Sequence, residues 1–168
     1  MKKAVCTGSF DPITVGHLDI IERAAAIVDE LTVCIFVNRR KNCMFSIEDR
    51  LKFLRLSTEH LSNVRADHFE GLVTDYMRSI GANVIVRGLR STADFDHEFR
   101  EAQMIKRIEP TIETIFLLTA PQFLFINSSS VRELLSFDAG IGDLVPKCVE
   151  EAIKISSGDE HGSTRYIG

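Results

Sequence analysis

Strand-like and helix-like segments alternate along the chain, and this alternation limits the possible folds more than any other feature of the sequence. Apolar runs of strand length, rich in β-branched residues, cover 3–7, 31–37, 64–69, 84–86 and 114–118. The segments between these runs carry apolar residues at helical spacing. The pattern predicts a Rossmann-like, doubly wound α/β fold with a parallel five-stranded sheet and helices on both faces. Ligands of such sheets bind beyond the carboxyl ends of the strands.

Local signals predict where several helices begin and end. Ser46, with Asp49 three residues later, resembles a capping box that starts the second helix. Gly81 is a predicted C-cap for a helix over 72–80. Pro110 closes a long predicted helix over 92–108.

The chain length and its last segment predict a single domain followed by a short tail. With 168 residues, the chain fits one compact domain, which we place at 1–155. Pro146 favours a last helix that starts there and runs through residue 155. The polar stretch 156–168 has little to bury, so we expect it to be mobile.

Charge and hydropathy exclude several classes of partner. The 20 Lys and Arg against 24 Asp and Glu give a net charge of −4, so no nucleic-acid or membrane partner is expected. Any polyanion must bind at a local basic cluster. The apolar runs are shorter than the roughly 20 residues of a membrane span, and no secretory signal is recognised, which predicts a cytoplasmic location. The cysteines lack metal or disulfide spacing, and packing is predicted for Cys6 and Cys34.

The segment after the first strand is the first candidate for chemistry. A turn-rich stretch, 8–17, leads into a helix that begins near Gly16, and His17 lies in its first turn. Backbone amides and the helix dipole favour an anion at such a point. A lone histidine at a helix start is more often solvated, so this segment alone leaves both interpretations open. Phosphate loops of the G-x-G-x-x-G and G-x-x-x-x-G-K-[ST] types are absent from the sequence.

Three further clusters follow predicted strands or open a predicted helix, which places all of them at one edge of a parallel sheet. The first is Arg39-Arg40-Lys41, which is as compatible with a solvated loop as with a phosphate site. The second is Arg87-Gly88-Leu89-Arg90, where a tight turn at Gly88 presents two arginines suited to bidentate phosphate contacts. The third is the run Asn127-Ser128-Ser129-Ser130 followed by Arg132, whose hydroxyls fit an N-cap, an anion site or both.

Taken together, these motifs resemble the bacterial phosphopantetheine adenylyltransferases of the T/H-x-G-H nucleotidylyltransferase superfamily. The resemblance covers about 3–155 and rests on the motifs in residues 8–14, 16–17, 41–45, 87–90, 93–98 and 128–129. The family pattern more often has Thr at Ser9, a serine at Asn127 and a larger residue at Val73. The resemblance implies transfer of an adenylyl group from ATP to 4′-phosphopantetheine, with Mg²⁺ required and a homohexameric assembly.

The resemblance also implies roles for particular residues. His17 is expected to stabilise the transition state, with Lys41 and Arg90 as further catalytic residues. Phosphopantetheine is expected to contact Ser9, Lys41, Val73 and Arg87. The residues expected to bind ATP are Ser9, Phe10, His17, Gly88, Leu89, Arg90, Glu98, Phe123, Leu124, Phe125, Ile126, Asn127, Ser128 and Ser129.

The chemistry of the reaction agrees with the residue types. The attacking phosphate monoester has a second pKa near about 6 and is already mostly a dianion at neutral pH, so no general base is needed. We therefore expect direct in-line attack without a covalent intermediate, with cations and amides neutralising charge. No all-protein carboxylate cage is recognised, so Mg²⁺ is expected to arrive on the ATP phosphates and water. Asp11 is a candidate outer contact of the ion, although an acidic residue in a turn before Pro12 more often has a structural role.

Two other functions remain open at this point. The same superfamily includes enzymes with other acceptors, such as nicotinamide mononucleotide, or glycerol or choline phosphate with CTP as the donor. A regulatory nucleotide-binding module of flavodoxin-like form is the non-enzymatic alternative. Lys41 with the 87–90 motif argues against the first, and the convergence of His17, Lys41 and Arg90 argues against the second.

Overall fold

The computed structural model describes residues 1–37 and 42–158, and within them five strands form one parallel sheet. The strands are β1 (Lys3–Gly8), β2 (Glu30–Phe36), β3 (Val64–Phe69), β4 (Val84–Leu89) and β5 (Glu113–Leu118). The helices are α1 (Val15–Ala25), α2 (Ile47–Thr58), α3 (Val73–Ile80), α4 (Thr92–Ile108), α5 (Ser128–Ser136) and α6 (Lys147–Gly158), with a 3-10 turn at Pro121–Phe123. The predicted α/β fold class is confirmed.

The strand order is β3-β2-β1-β4-β5 and every neighbouring pair is parallel. From β1 the chain adds β2 and then β3 on one side of the sheet. It then returns to the other side of β1, where it forms β4 and β5. The order therefore reverses between β1 and β4, and the loops after these strands diverge to leave a crevice. This crevice is the expected ligand position of a doubly wound sheet.

Alternate residues of each central strand enter two separate cores. Cys6 and Val33 belong to the core under α1, α2, α5 and α6, whereas Val5, Cys34 and Ile85 belong to the core under α3 and α4. Helices therefore cover both faces of the sheet, as predicted. The strands carry apolar residues on both faces, and these residues are buried under the helices. Burial raises the thiol pKa of Cys6 and of Cys34 to about 12, in agreement with their predicted packing role.

Most predicted helix ends agree with the structure. Ser46 caps α2 by accepting a hydrogen bond from the Asp49 N–H at 3.1 Å. Gly81 ends α3 in the left-handed region, with φ of 67°, where a side chain would be strained. The last helix runs to Gly158, three residues beyond the predicted end, and residues 159–168 of the predicted tail lie outside the described part of the chain.

Strand β4 is longer than predicted, and this changes the explanation of why a glycine is required at Gly88. The strand continues through Leu89, so Gly88 lies within the sheet and forms no turn. A Cβ atom at Gly88 would lie 3.0 Å from Ile20 Cγ1 of α1, closer than side chains normally pack. The glycine therefore allows α1 to pack directly on β4, which brings the start of α1 next to the end of β4.

Candidate active site

His17 is oriented by a reciprocal cap at the start of α1. Thr14 is the N-cap residue and its hydroxyl accepts a hydrogen bond from the His17 N–H. In return, the Thr14 N–H donates to His17 Nδ1 at 3.1 Å, and the Thr14 hydroxyl lies 2.9 Å from the same nitrogen. Because Nδ1 accepts the amide proton, the neutral imidazole carries its own proton on Nε2.

The electrostatic surroundings keep His17 neutral. Burial, and then the positive charge of Arg90, lower the pKa of His17 from 6.5 to about 4. Both effects disfavour the imidazolium, burial by removing water and Arg90 by like-charge repulsion. At neutral pH His17 is therefore an uncharged hydrogen-bond donor through Nε2, whereas Arg90 supplies charge.

Phe10 supports the imidazole from the side. Its backbone lies in the left-handed region with φ of 44°, which is uncommon outside glycine and is concentrated at functional sites. The buried ring meets the His17 ring edge-on, with centroids 5.3 Å apart and an interplanar angle of 70°. The ring also covers Gly8, where an added Cβ would lie 2.9 Å from it. Gly8 is therefore required for Phe10 to occupy this position.

Two buried charged residues hold the loop between β1 and α1. The Asp11 carboxylate is 3% exposed and accepts hydrogen bonds from the Met44 and Phe45 amides, both at 2.9 Å. Arg50 of α2 is 5% exposed and donates through Nη1 to the Ser9 carbonyl at 3.0 Å. Asp11 thus has the structural role expected from the sequence. Sequence reasoning missed Arg50, because no motif links an arginine of α2 to a loop 41 residues earlier.

The start of α5 is joined to the same loop. Asn127 caps the helix by accepting from the Ser130 N–H at 2.9 Å, so the cap is the asparagine and not one of the serines. The Ser128 hydroxyl donates to the Pro12 carbonyl at 2.8 Å, and Arg132 Nη1 donates to the Asp11 carbonyl at 2.7 Å. These bonds place the α5 amino terminus beside the α1 amino terminus, and both helix dipoles favour an anion between them.

A first cavity of about 330 Å³ opens where β1, β4, α1 and α5 meet. It contains ten of the residues predicted to bind ATP, namely Ser9, Phe10, His17, Gly88, Arg90, Glu98, Ile126, Asn127, Ser128 and Ser129. Four predicted ATP residues, Leu89, Phe123, Leu124 and Phe125, do not line it. Leu89 is 7% exposed, whereas Phe125 is 90% exposed. Their contacts with ATP stay predictions.

The first cavity has more cationic than anionic side chains in its lining, although the chain has a net charge of −4. Among the described residues it is lined by three arginines, Arg87, Arg90 and Arg132, and by a single carboxylate, Glu98. Its polar lining otherwise consists of hydroxyls, an amide and the neutral His17. Such a set suits a polyanion and lacks the several carboxylates of an all-protein Mg²⁺ cage.

A second cavity of about 480 Å³ lies on the other side of the β1 and β4 ends. It contains Val73 and has a mainly apolar wall formed by Phe36, Leu72, Met104, Ile105 and Ile108. The two cavities share lining residues: Thr7, Gly8, Ser9, Arg87 and Glu98. Ser9 and Arg87, both predicted to contact phosphopantetheine, therefore lie at the junction.

Arg87 is paired with two carboxylates of α4 at this junction. Its Nη1 donates to Glu98 and to Glu101, the latter at 2.7 Å. His97, Glu98 and Glu101 also offer three potential metal-ligand atoms within 4.8 Å of one another. Since Glu98 and Glu101 already bind the Arg87 guanidinium, we assign no metal to this cluster. Lys41, with Arg39 and Arg40, lies outside the described residues, so its predicted position is not tested.

Residues 5–134 match the cytidylyltransferase-like family, and this chain, with its anion cavity at the switch point of the sheet, belongs to that family of nucleotidyltransferases. It is 44% identical over 154 residues to the phosphopantetheine adenylyltransferase of Shouchella clausii, covering 92% of this chain and 97% of the relative. Within the family, the chain belongs to the phosphopantetheine adenylyltransferases and is an enzyme.

Further relatives agree with this placement, and a solved structure shares the fold. Proteins of the same name from Staphylococcus saprophyticus and Heliobacterium modesticaldum are 45% and 43% identical, covering 90% and 95% of this chain and 94% and 95% of the relatives. A chain provisionally named a nicotinate-nucleotide adenylyltransferase from Vibrio parahaemolyticus superposes with a TM-score of 0.71. It covers 92% of this chain and 99% of its own length at 20% identity, which shows the shared fold. None of the helices in 1–37 and 42–158 has the length and apolarity needed to cross a membrane.

Proposed function

We propose that the enzyme transfers the adenylyl group of ATP to 4′-phosphopantetheine, forming dephospho-coenzyme A and pyrophosphate, the penultimate step of coenzyme A synthesis. The phosphate of the acceptor attacks the α-phosphorus of ATP in line, and no covalent enzyme intermediate forms. The observation that carries the proposal is the junction of the two cavities at Ser9 and Arg87. A nucleotide on one side and an acceptor on the other bring their phosphates together there.

The second cavity supports an acceptor that is anionic at one end and largely aliphatic elsewhere. Arg87 and Ser9 at the junction suit the phosphate, with Lys41 as a further cation, while Val73 and its apolar neighbours suit the pantetheine arm. The ion pairs of Arg87 with Glu98 and Glu101 keep this cation inside the protein wall before the substrate arrives. A dianionic phosphate then competes with those carboxylates for the guanidinium.

The first cavity supports the nucleotide and the chemistry at its α-phosphorus. A phosphate monoester with a second pKa near about 6 needs no base at neutral pH, and no base is assigned here. His17 donates from Nε2 to a phosphate oxygen as negative charge shifts to the pyrophosphate leaving group, and Arg90 neutralises part of that charge. Mg²⁺ bound to ATP would be held by the phosphates and water, where it would offset part of the phosphate charge.

The assembly and location expected from the sequence stay part of this proposal. We place the enzyme in the cytoplasm as a homohexamer. Apolar side chains on α4 and beyond β5 are exposed, including Phe95 at 45% and Phe125 at 90%, and contact with other copies would cover such surfaces. Light scattering coupled to size-exclusion chromatography tests the oligomer, and a monomer at micromolar concentration would contradict it.

Pyrophosphate release with different substrate pairs tests the proposed reaction. ATP and CTP are each combined with phosphopantetheine, nicotinamide mononucleotide, glycerol phosphate and choline phosphate. We expect release with ATP and phosphopantetheine alone. Turnover with CTP or with another acceptor contradicts the proposal, and ATP binding without turnover on any acceptor favours the regulatory module.

A further inference from the structure

Two buried side-chain polar atoms in the described part of the chain have no hydrogen-bond partner, and both are in residues that line the second cavity. These atoms are Thr74 Oγ1 and Arg87 Nε. Buried polar groups are almost always paired, because removing them from water without a partner costs free energy. That both exceptions border one cavity indicates that a ligand supplies the missing partners. Arg87 already has an expected role there, whereas Thr74 has none.

Thr74 is fixed in the wall of the cavity. It is the second residue of α3 and is 1% exposed. Leu72, the N-cap residue, makes no side-chain cap, and Leu72 and Val73 are the apolar neighbours of Thr74 along this wall. Met104 faces the cavity from α4 and its flexible side chain is 61% exposed. The Thr74 hydroxyl is thus the polar side-chain group that α3 contributes to a wall of aliphatic residues.

The chemistry of the proposed acceptor fits this hydroxyl. Phosphopantetheine carries secondary amides on an arm otherwise built of methylene and methyl groups. With its phosphate at Arg87, the arm runs along the apolar wall, where each amide loses water and requires a new partner. A threonine hydroxyl can donate to an amide carbonyl or accept from an amide N–H. Because Thr74 Oγ1 is already shielded from water, the new bond does not require the hydroxyl to be desolvated again.

We propose that the Thr74 hydroxyl hydrogen-bonds an amide of the acceptor arm and so contributes to selection of the pantetheine substrate. Because the hydroxyl is shielded in the free protein, its bond to the acceptor arm requires neighbouring side chains of the cavity wall to move on binding. This inference rests on the proposed function and adds a residue that acts on acceptor binding. It predicts a combination of effects that a structural hydroxyl would not produce.

Thr74→Val tests the proposal, because valine keeps the shape and removes the hydroxyl. We expect the KM and the calorimetric Kd for phosphopantetheine to rise about five- to tenfold, the value of one ordinary hydrogen bond. The kcat and the KM for ATP should stay unchanged. The Tm of the free protein should stay equal or rise, since the deleted hydroxyl has no partner there. Thr74→Ser retains the hydroxyl and should keep the wild-type KM.

Thr58→Val is the matched control. Thr58 is also buried, at 4% exposure, but its hydroxyl donates to the Leu54 carbonyl at 2.8 Å and lies outside both cavities. This variant should lower the Tm and leave the KM unchanged. An unchanged KM in Thr74→Val, or a fall in its Tm of more than about 3 °C, overturns the proposal. Wild-type protein that releases no pyrophosphate from ATP and phosphopantetheine would overturn the proposed function instead.

Discussion

Substitutions of His17 distinguish two possible roles of this residue in catalysis, that of a neutral hydrogen-bond donor and that of a cation. With a pKa lowered to about 4 by burial and by Arg90, the imidazolium would amount to only about 0.1% of His17 at pH 7. Transition-state stabilisation then depends on the Nε2 proton, which the hydrogen bond from Thr14 to Nδ1 assigns to that nitrogen. Removing one such donor costs on the order of 10² to 10³ in kcat. We expect this loss in His17→Ala.

Replacing His17 with glutamine or asparagine tests which ring nitrogen carries the donating proton. Glutamine carries its N–H donor at about the distance of Nε2 along the side chain, whereas asparagine places it near Nδ1. His17→Gln should therefore recover part of the lost kcat, and His17→Asn should resemble His17→Ala. Loss of the reciprocal cap should cost about 1 kcal/mol of unfolding free energy, so each variant stays folded at the assay temperature.

The pH dependence of kcat shows whether His17 acts as a neutral imidazole or as an imidazolium. The measurement is pyrophosphate release under saturating substrates between pH 6.5 and 8.5, a range in which the acceptor phosphate is mostly a dianion. A neutral donor with a pKa of about 4 predicts a flat profile over this range. An imidazolium with an ordinary pKa predicts a tenfold fall in kcat for each pH unit above about 6.5. Such a fall, or near-normal turnover of folded His17→Ala, would refute the reasoning.

Acid stability should follow the same pKa. Since the folded-state pKa of His17 lies below the unfolded value, the unfolded chain binds the proton first, and this residue lowers stability as pH falls from 6.5 toward 4. Gly8→Ala would place a Cβ 2.9 Å from the Phe10 ring, so it should displace the ring and cost about 1–3 kcal/mol of stability and much of the kcat. Arg50→Met should cost about 1.5–3 kcal/mol through lost bonds to the β1–α1 loop. Glu101→Gln should lower the KM for phosphopantetheine about two- to fivefold, because it removes a half-exposed competitor for Arg87.

Thermal and urea denaturation, with KM determinations, check these four expectations. An equal pH dependence of stability in wild-type protein and His17→Gln would contradict the first. Wild-type stability and kcat in Gly8→Ala would show that Phe10 adjusts without affecting the imidazole. Unchanged stability in Arg50→Met would mean that the loop does not need the arginine. A higher KM in Glu101→Gln would mean that this carboxylate positions Arg87 for the substrate instead of competing with it.

The local elements of the fold were predictable because their causes lie within a few residues. β-Branched runs predicted the strands, and the caps at Ser46 and Gly81 predicted helix ends, since each acts on its own turn of backbone. Alternation predicted parallel pairing, because right-handed crossovers leave few other arrangements. The prediction was wrong in detail at Gly88, where glycine is needed because α1 packs closely on the strand and not because the chain turns there.

The candidate site divides in the same way. The sequence by itself placed His17, Arg87, Arg90 and the serine run at one edge of the sheet, since parallel strands share a direction and their loops share an end. It could not predict the low pKa of His17, because burial and the charge of Arg90 depend on distant parts of the chain. Nor could it reveal Arg50, whose bond to Ser9 spans 41 residues. The types and order of the residues thus determined which functional groups are available. Tertiary packing determined the charge state of His17, the residues that hold the β1–α1 loop and the junction of the two cavities, because desolvation and hydrogen bonding depend on neighbours in space.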